Sequence, residues 1–151
     1  MYLYFHNDRK DEMRTLWIAL FLGWIGVSVS AQDFYQQEIT DDIFARIEGK
    51  SFKANCTTPR EDLRYLRVLH YNKDREILEG ELICHKDIAD DLLAIFQELY
   101  KVAYPIERMV LIDEYDADDE ASMRANNTSA FNFRYASGMK RFFSHSTGMA
   151  I

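Results

Sequence analysis

Hydrophobic positions along the chain predict two amphipathic helices. In residues 36–47 the apolar side chains recur every three or four positions and so share one helical face. They are Ile39, Ile43, Phe44 and Ile47. Thr40 precedes two aspartates near the start of this helix. Residues 87–103 carry a longer apolar stripe, made of Ile88, Leu92, Ile95, Phe96, Leu99 and Tyr100. Lys101 in its last turn and Pro105 beyond it are typical of a helix end.

The segments between these helices predict strands. Residues 63–71 and 77–84 are rich in apolar and β-branched side chains, and the polar residues 72–75 separate them. This pattern predicts an antiparallel hairpin. Residues 106–112 predict a further short strand after the proline. Without an internal repeat or a linker, this order of elements predicts one mixed α+β domain with helices packed on an antiparallel sheet.

The N-terminal segment resembles an export signal. Residues 16–27 are apolar and uncharged, but they are too few to cross a bilayer. Val29 and Ala31 fit the small-residue pattern of a cleavage site, so we expect a signal peptide over residues 1–31 and a domain over residues 32–151. A short buried helix or an uncleaved anchor is the alternative. Because residues 1–14 have no net charge, we expect translation to start at Met13.

The balance of charged residues argues against one class of function. The chain of 151 residues has 18 Lys and Arg against 25 Asp and Glu, a net charge of −7. This sign argues against a nucleic-acid binder, which needs cations to contact phosphates. Two cysteines are too few for a disulfide scaffold. In an oxidising compartment Cys56 and Cys84 could pair, or they could remain two separate buried thiols.

Residues 113–120 hold six acidic side chains in eight positions. Asp116, Asp118 and Glu120 alternate as in a calcium loop. However, Ala121 and Asn127 stand where an EF-hand loop needs Gly and Glu. We therefore expect a solvated surface loop rather than a metal site. An intermediate possibility is that one or two of these acids line a cleft.

Two residues near the C-terminus are candidates for chemistry. Residues 126–134 are dense in short polar side chains and end at Arg134, whose planar guanidinium can grip a carboxylate through two hydrogen bonds. His145 stands among small residues before an apolar run, a placement that suits a metal ligand on a loop entering a strand. A catalytic zinc needs three protein donors. His70 and His85 lie in the predicted hairpin with no ligand spacing to His145.

The tail resembles a known pattern, S-x-H-x-x-G-x-A-x-D, of the zinc D,D-carboxypeptidases and dipeptidases of peptidoglycan metabolism. This family includes the vancomycin-resistance D,D-peptidases and has the hedgehog/D,D-peptidase fold. The match covers residues 145–151 and implies that His145 is the first zinc ligand. The family's second ligand, an Asp, belongs directly after Ile151, and a second His and a general-base Glu lie further on. We therefore expect a chain truncated inside the motif, incomplete as a zinc site and inactive.

The resemblance extends upstream to about residue 62. Residues 113–119 and 126–134 are similar to a secreted bacterial branch of the family. It implies that Arg134 binds substrate and stabilises charge near the scissile carbonyl, and that Ser129 contributes to substrate binding. The chain departs from the family pattern at one position, the serine that stands two positions before the histidine. Here that position holds Phe143, and Ser144 lies one position too late.

The resemblance implies an exported zinc peptidase that hydrolyses peptide bonds of peptidoglycan stem peptides outside the cytoplasm. Carboxypeptidase, dipeptidase and endopeptidase activities all occur on this scaffold. One alternative is a non-catalytic envelope protein that binds wall peptides or a protein partner through the same cleft. Another is an unrelated acidic α+β domain. An Asp codon directly after Ile151, followed by a Glu-x-x-His-like segment, would indicate the enzyme.

Overall fold

A three-stranded antiparallel sheet organises the molecule. The computed structural model describes residues 33–134 and 144–151. Its strands are β1 (Tyr35–Glu38), β2 (Leu63–Tyr71) and β3 (Ile77–His85), with β2 in the centre. The α-helices of the described residues are α1 (Asp41–Ile47), α2 (Lys86–Lys101) and α3 (Asp119–Arg124). Short 3₁₀ helices cover Arg60–Asp62, Ile112–Tyr115 and Ser144–Thr147. The α+β class and the antiparallel sheet are thus confirmed.

The predicted antiparallel hairpin is confirmed, and its strands lie within one residue of the predicted bounds. β2 and β3 pair from Leu63 opposite His85 to Tyr71 opposite Ile77. Asn72 closes the turn, because its backbone N–H donates to the carbonyl of Glu76 and its side-chain oxygen accepts from the Glu76 N–H. Side chains alternate between the two faces of a strand, and in this sheet both faces are buried.

A hydrophobic core lies on each face of the sheet. On one face α2 packs through Ala89, Leu92 and Phe96 against apolar residues of β2 and β3. On the other face Ile43 and Ile47 of α1 pack with Leu63, Tyr65, Ile83 and Phe133. Within the described residues, no helix is both long enough and apolar enough to cross a membrane. The predicted signal peptide, residues 1–31, lies outside the described residues.

The helix predicted over residues 36–47 is wrong in its first part. Tyr35–Glu38 pairs with β2, and the helix begins only at Asp41, with the Thr40 side chain accepting from the Ile43 N–H at its N-terminus. Backbone pairing with β2 therefore overrides the helical spacing. In α2 the predicted stripe is buried at Leu92, Phe96 and Tyr100 and partly buried at Ile88 and Leu99, whereas Ile95 is 51% exposed and lies outside the core.

The strand predicted over residues 106–112 is also wrong. The Ile106 N–H donates to Tyr71 at the end of β2, and the Met109 carbonyl accepts from Glu81 of β3. The N–H and carbonyl of Val110 bond to the side chain of Asn127 instead of to a strand. Because its backbone bonds are divided among three partners, this segment forms no continuous ladder with either neighbour.

Candidate functional site

Arg134 and His145 are brought together by two backbone segments that lie side by side. Asn132 donates its backbone N–H to the His145 carbonyl at 2.9 Å. The Ser146 hydroxyl donates to the Arg134 carbonyl at 2.6 Å and accepts from the Arg134 N–H at 3.0 Å. The buried side chain of Ser146 thus makes the two hydrogen bonds to Arg134 that a neighbouring backbone would otherwise make. The residue after His145 thereby fixes the backbone of Arg134.

The imidazole of His145 is oriented by a backbone carbonyl. Its Nδ1 lies 2.8 Å from the oxygen of Ala130. Because a carbonyl can only accept, Nδ1 carries the proton, and in the neutral ring Nε2 keeps its lone pair. Metal-ligating histidines usually donate their second ring nitrogen to a carbonyl or carboxylate in this way. Nε2 of His145 is therefore a suitable donor atom for zinc.

Gly148 ties the His145 segment to the end of β3. Its carbonyl accepts from the His85 N–H at 2.9 Å, and its φ is +70°. A Cβ at this position would lie 2.8 Å from the backbone nitrogen of His85. Glycine is the residue that tolerates both the left-handed conformation and this close approach. The positive φ and the close contact with His85 therefore explain why glycine occupies position 148 of the motif. The apolar strand expected after His145 is not formed, since residues 148–151 have no regular secondary structure.

The side chain of Arg134 is held by an acid of the acidic run. Its Nη2 lies 2.5 Å from Oδ2 of Asp119, which stands in the first turn of α3. The other oxygen of Asp119 accepts from the side-chain amide of Asn132 at 3.0 Å. That amide also donates to the carbonyl of Ala117 at 3.2 Å. Arg134, Asn132 and Asp119 therefore form one connected polar network.

These side chains line a cleft of about 300 Å³. Arg134, His145, Asp119 and Asn132 form its polar wall together with Ser129, the third predicted site residue. Ile112, Met123 and Ile151 form an apolar wall. A cation next to an imidazole and an apolar surface is an arrangement that can hold a small peptide end. All three predicted site residues thus lie in one cleft.

The buried carboxylate of Asp113 supports the segment that carries Arg134. Asp113 accepts from both the N–H and the hydroxyl of Ser51, each at 2.9 Å. The Ser51 carbonyl in turn accepts from the Phe133 N–H, next to Arg134. Burial raises the pKa of the Asp113 carboxyl, although the two bonds from Ser51 oppose this shift. Ser51 and Asp113 thus anchor the segment that carries Arg134.

The expectation of a solvated acidic loop is correct for Glu114, Asp116, Asp118 and Glu120, which are exposed, and wrong for the other two acids of residues 113–120. Asp113 is buried, and Asp119 lines the cleft. The Asp118 side chain caps α3 by accepting from the Ala121 N–H. The intermediate possibility, that one or two acids line a cleft, describes Asp119. In the described part of the chain, no three His, Cys, Asp or Glu side chains form a group that could hold a metal ion.

The other histidines and the cysteines of the described residues have structural environments. His70 is buried with Nδ1 2.7 Å from the Ile106 carbonyl, and His85 accepts from the Asp87 N–H at the start of α2. Cys56 and Cys84 are both free thiols. Burial raises the pKa of both, that of Cys84 to about 12. Of the two alternatives for the cysteines, the structure has the separate thiols.

A larger cleft of about 620 Å³ lies along the edge of β3. Its carboxylates already have cationic partners, which is why cavity size alone does not identify the site. These ion pairs are Glu79 with Arg67, Glu81 and Glu114 with Arg46, and Glu107 with Lys73. The cleft beside His145 is smaller but contains the three residues predicted for the site, Ser129, Arg134 and His145.

Sequence reasoning missed Asn132 and Ser146 as parts of the site. The density of polar side chains in residues 126–134 was the available signal for Asn132. Nothing in the sequence distinguishes Ser146 from the neighbouring Ser144.

Comparison of the chain with protein-family models, curated proteins and solved structures finds no match.

Proposed function

We propose that the protein is an exported zinc-dependent peptidase that hydrolyses peptide bonds of peptidoglycan stem peptides, with a hedgehog/D,D-peptidase-like fold. One observation carries the proposal: His145, the residue that resembles the family's first zinc ligand, has its Nδ1 bonded to Ala130 and shares a cleft with Arg134. The resemblance to the zinc D,D-peptidases supplies the reaction type and the wall peptide as substrate.

The donor set of the described residues fits zinc in part. His145 presents a suitable Nε2, and the further donors implied by the resemblance belong after position 151 in the family motif. Bound zinc would polarise the scissile carbonyl and lower the pKa of its water to about 7. His145 holds its ring in place through Ala130, which fixes the direction of Nε2.

Arg134 supplies a fixed positive charge in the cleft. Its backbone is bonded to Ser146 and its guanidinium to Asp119, so the charge is placed before substrate arrives. Such a preorganised cation can stabilise a developing oxyanion or bind the carboxylate at a peptide end. Ser129 lines the same cleft and would contact the bound peptide.

The test uses the longest gene product that contains this sequence, with zinc content and release of D-Ala from diacetyl-L-Lys-D-Ala-D-Ala as readouts. We expect His145→Ala to abolish both. We expect Arg134→Ala to retain zinc but to lower turnover by roughly 10²-fold or more, as for other lost charge stabilisers. Unchanged turnover in Arg134→Ala would remove this residue from the site.

Matched controls separate the site from general damage. His85→Asn removes an imidazole outside the cleft but keeps a good helix N-cap. Arg124→Ala removes an exposed arginine of α3 that lies outside the cleft. Both variants should keep zinc and activity. A protein that never binds zinc and never releases D-Ala would contradict the proposal.

The second candidate is a non-catalytic envelope protein that binds wall peptides. The observation that favours it is the cleft with Arg134, whose guanidinium can bind the carboxylate at a peptide end without a metal. In this case the same peptide would bind without turnover, and Arg134→Ala would weaken binding. Zinc content together with D-Ala release distinguishes the two candidates.

A further inference from the structure

Asp119 connects the cation of the cleft to the fold. One carboxylate oxygen lies 2.5 Å from Nη2 of Arg134, and the other accepts from the Asn132 amide at 3.0 Å. Both charged side chains are about one quarter to one third exposed, with 26% for Asp119 and 31% for Arg134. The pair thus lies in the wall of the cleft rather than on the open surface.

We propose that Asp119 is a positioning residue that holds the Arg134 guanidinium in its working orientation, an inference that rests on the proposed function. A free arginine side chain has many rotamers, and conformational entropy is lost when the side chain is fixed in one of them. Asp119 removes this freedom in advance, since its own place is set by the first turn of α3 and by Asn132.

The arrangement around Asp119 explains why this carboxylate, and not another in the acidic run, has the role. Asp118 is engaged in capping α3 through the Ala121 N–H, and Asp113 is engaged with Ser51. Glu120 faces away and pairs with Arg124 within the same helix. Asp119 is the acid of this run that forms an ion pair with Arg134.

Loss of positioning has a kinetic signature of its own. In Asp119→Ala the positive charge stays in the cleft but moves among rotamers, so binding of an anionic peptide end changes little. The transition state needs the charge in one place, and a misplacement of about 1 Å can cost up to roughly 10²-fold. We expect kcat for diacetyl-L-Lys-D-Ala-D-Ala to fall by about 10-fold, with KM changed by less than about 3-fold.

A double-mutant cycle tests whether Asp119 acts through Arg134. If it does, Asp119→Ala in the Arg134→Ala background should cause no further loss of kcat. A 10-fold loss in both backgrounds would overturn the inference, and so would an unchanged kcat in the single variant. Glu120→Gln is the matched control, because it removes a carboxylate from the same helical turn without touching Arg134. It should leave kcat unchanged.

A second measurement does not depend on turnover. In the NMR spectrum the Arg134 guanidinium signals, assigned by their loss in Arg134→Lys, should show restricted rotation in the wild type. In Asp119→Ala they should show free rotation, while thermal unfolding confirms that the variant is folded. If the guanidinium signals are the same in both proteins, Asp119 does not position Arg134. If they differ in a protein without peptidase activity, the proposed function fails and the positioning contact stands.

Discussion

At the scale of single residues, Gly148 is, among the glycines that the structure describes, the one whose added Cβ would lie nearest to a backbone atom. It combines a φ of +70° with a backbone neighbour 2.8 Å from where a Cβ would lie. We expect Gly148→Ala to destabilise the protein by about 2–5 kcal/mol, since a left-handed alanine costs about 1–2 kcal/mol and overpacking about 1–3 kcal/mol. Urea denaturation measures this change in the free energy of unfolding.

Gly49 provides the matched control for this substitution. Its φ is +77°, but nothing lies within 4 Å of a Cβ built there. Gly49→Ala should therefore show the backbone cost alone, about 1–2 kcal/mol. If the two variants lose the same stability, the contact of Gly148 with His85 does not constrain the His145 segment.

The site was predictable from the sequence only where single residue types carry a recognisable chemistry. His145, Arg134 and Ser129 were predicted as site residues from their neighbours and from the resemblance, and all three line one cleft. Ser146 and the partner of Arg134 were not identified. Their roles depend on contacts between segments 12 to 15 positions apart, such as Ser146 with Arg134. No local pattern encodes such a contact.

At the scale of elements, α2 shows which apolar positions hold the fold. Phe96 is 4% exposed and packs in the core between α2 and the sheet. We expect Phe96→Ala to cost about 3–5 kcal/mol, because it removes a large buried ring and leaves a cavity. The adjacent Ile95→Ala is the control, since Ile95 is exposed and alanine is a better helix former. It should be neutral within about 0.5 kcal/mol, as measured by thermal unfolding. An equal loss in both variants would contradict this packing.

The elements that were predicted correctly are those with long patterns. The β2–β3 hairpin and α2 have nine or more residues each, and their spacing repeats several times. β1 has four residues, too few to separate a strand from the apolar spacing that leads into α1. The 106–112 segment has strand-like composition, but its N–H and carbonyl groups bond to Tyr71, Glu81 and Asn127 rather than to one neighbour. Whether such a segment forms a strand depends on whether one neighbouring segment pairs with it along its length.

At the scale of the whole molecule, Arg46 links elements that are distant in sequence. From α1 it makes two hydrogen bonds to Glu81 of β3, at 3.0 and 2.6 Å, and one to Glu114 at 3.2 Å. The Tyr65 hydroxyl of β2 donates to the carboxylate of Glu81. The bonds from Arg46 hold the pKa of Glu81 below its usual value, and burial raises the pKa of Tyr65 to about 12. One carboxylate therefore connects α1, β2 and β3.

We expect Arg46→Met to destabilise the protein by about 1–2 kcal/mol near neutral pH. The hydrogen bonds to a charged group are worth about 1.5–3 kcal/mol, less the screening of a side chain that is 37% exposed. Methionine keeps an apolar stem of similar length, so the loss reports the charge. Arg124→Met is the control, because its ion pair with Glu120 is exposed and should contribute almost nothing.

The pH dependence distinguishes this ion pair from simple packing. Because the pKa of Glu81 is lower in the folded than in the unfolded chain, its contribution is present above the unfolded pKa and is lost as pH falls through the folded pKa. Urea denaturation at a series of pH values should show the difference between wild type and Arg46→Met shrinking as Glu81 is protonated. A difference that stays constant down to the acid limit of folding would mean that Arg46 stabilises the molecule through something other than its ion pair with Glu81.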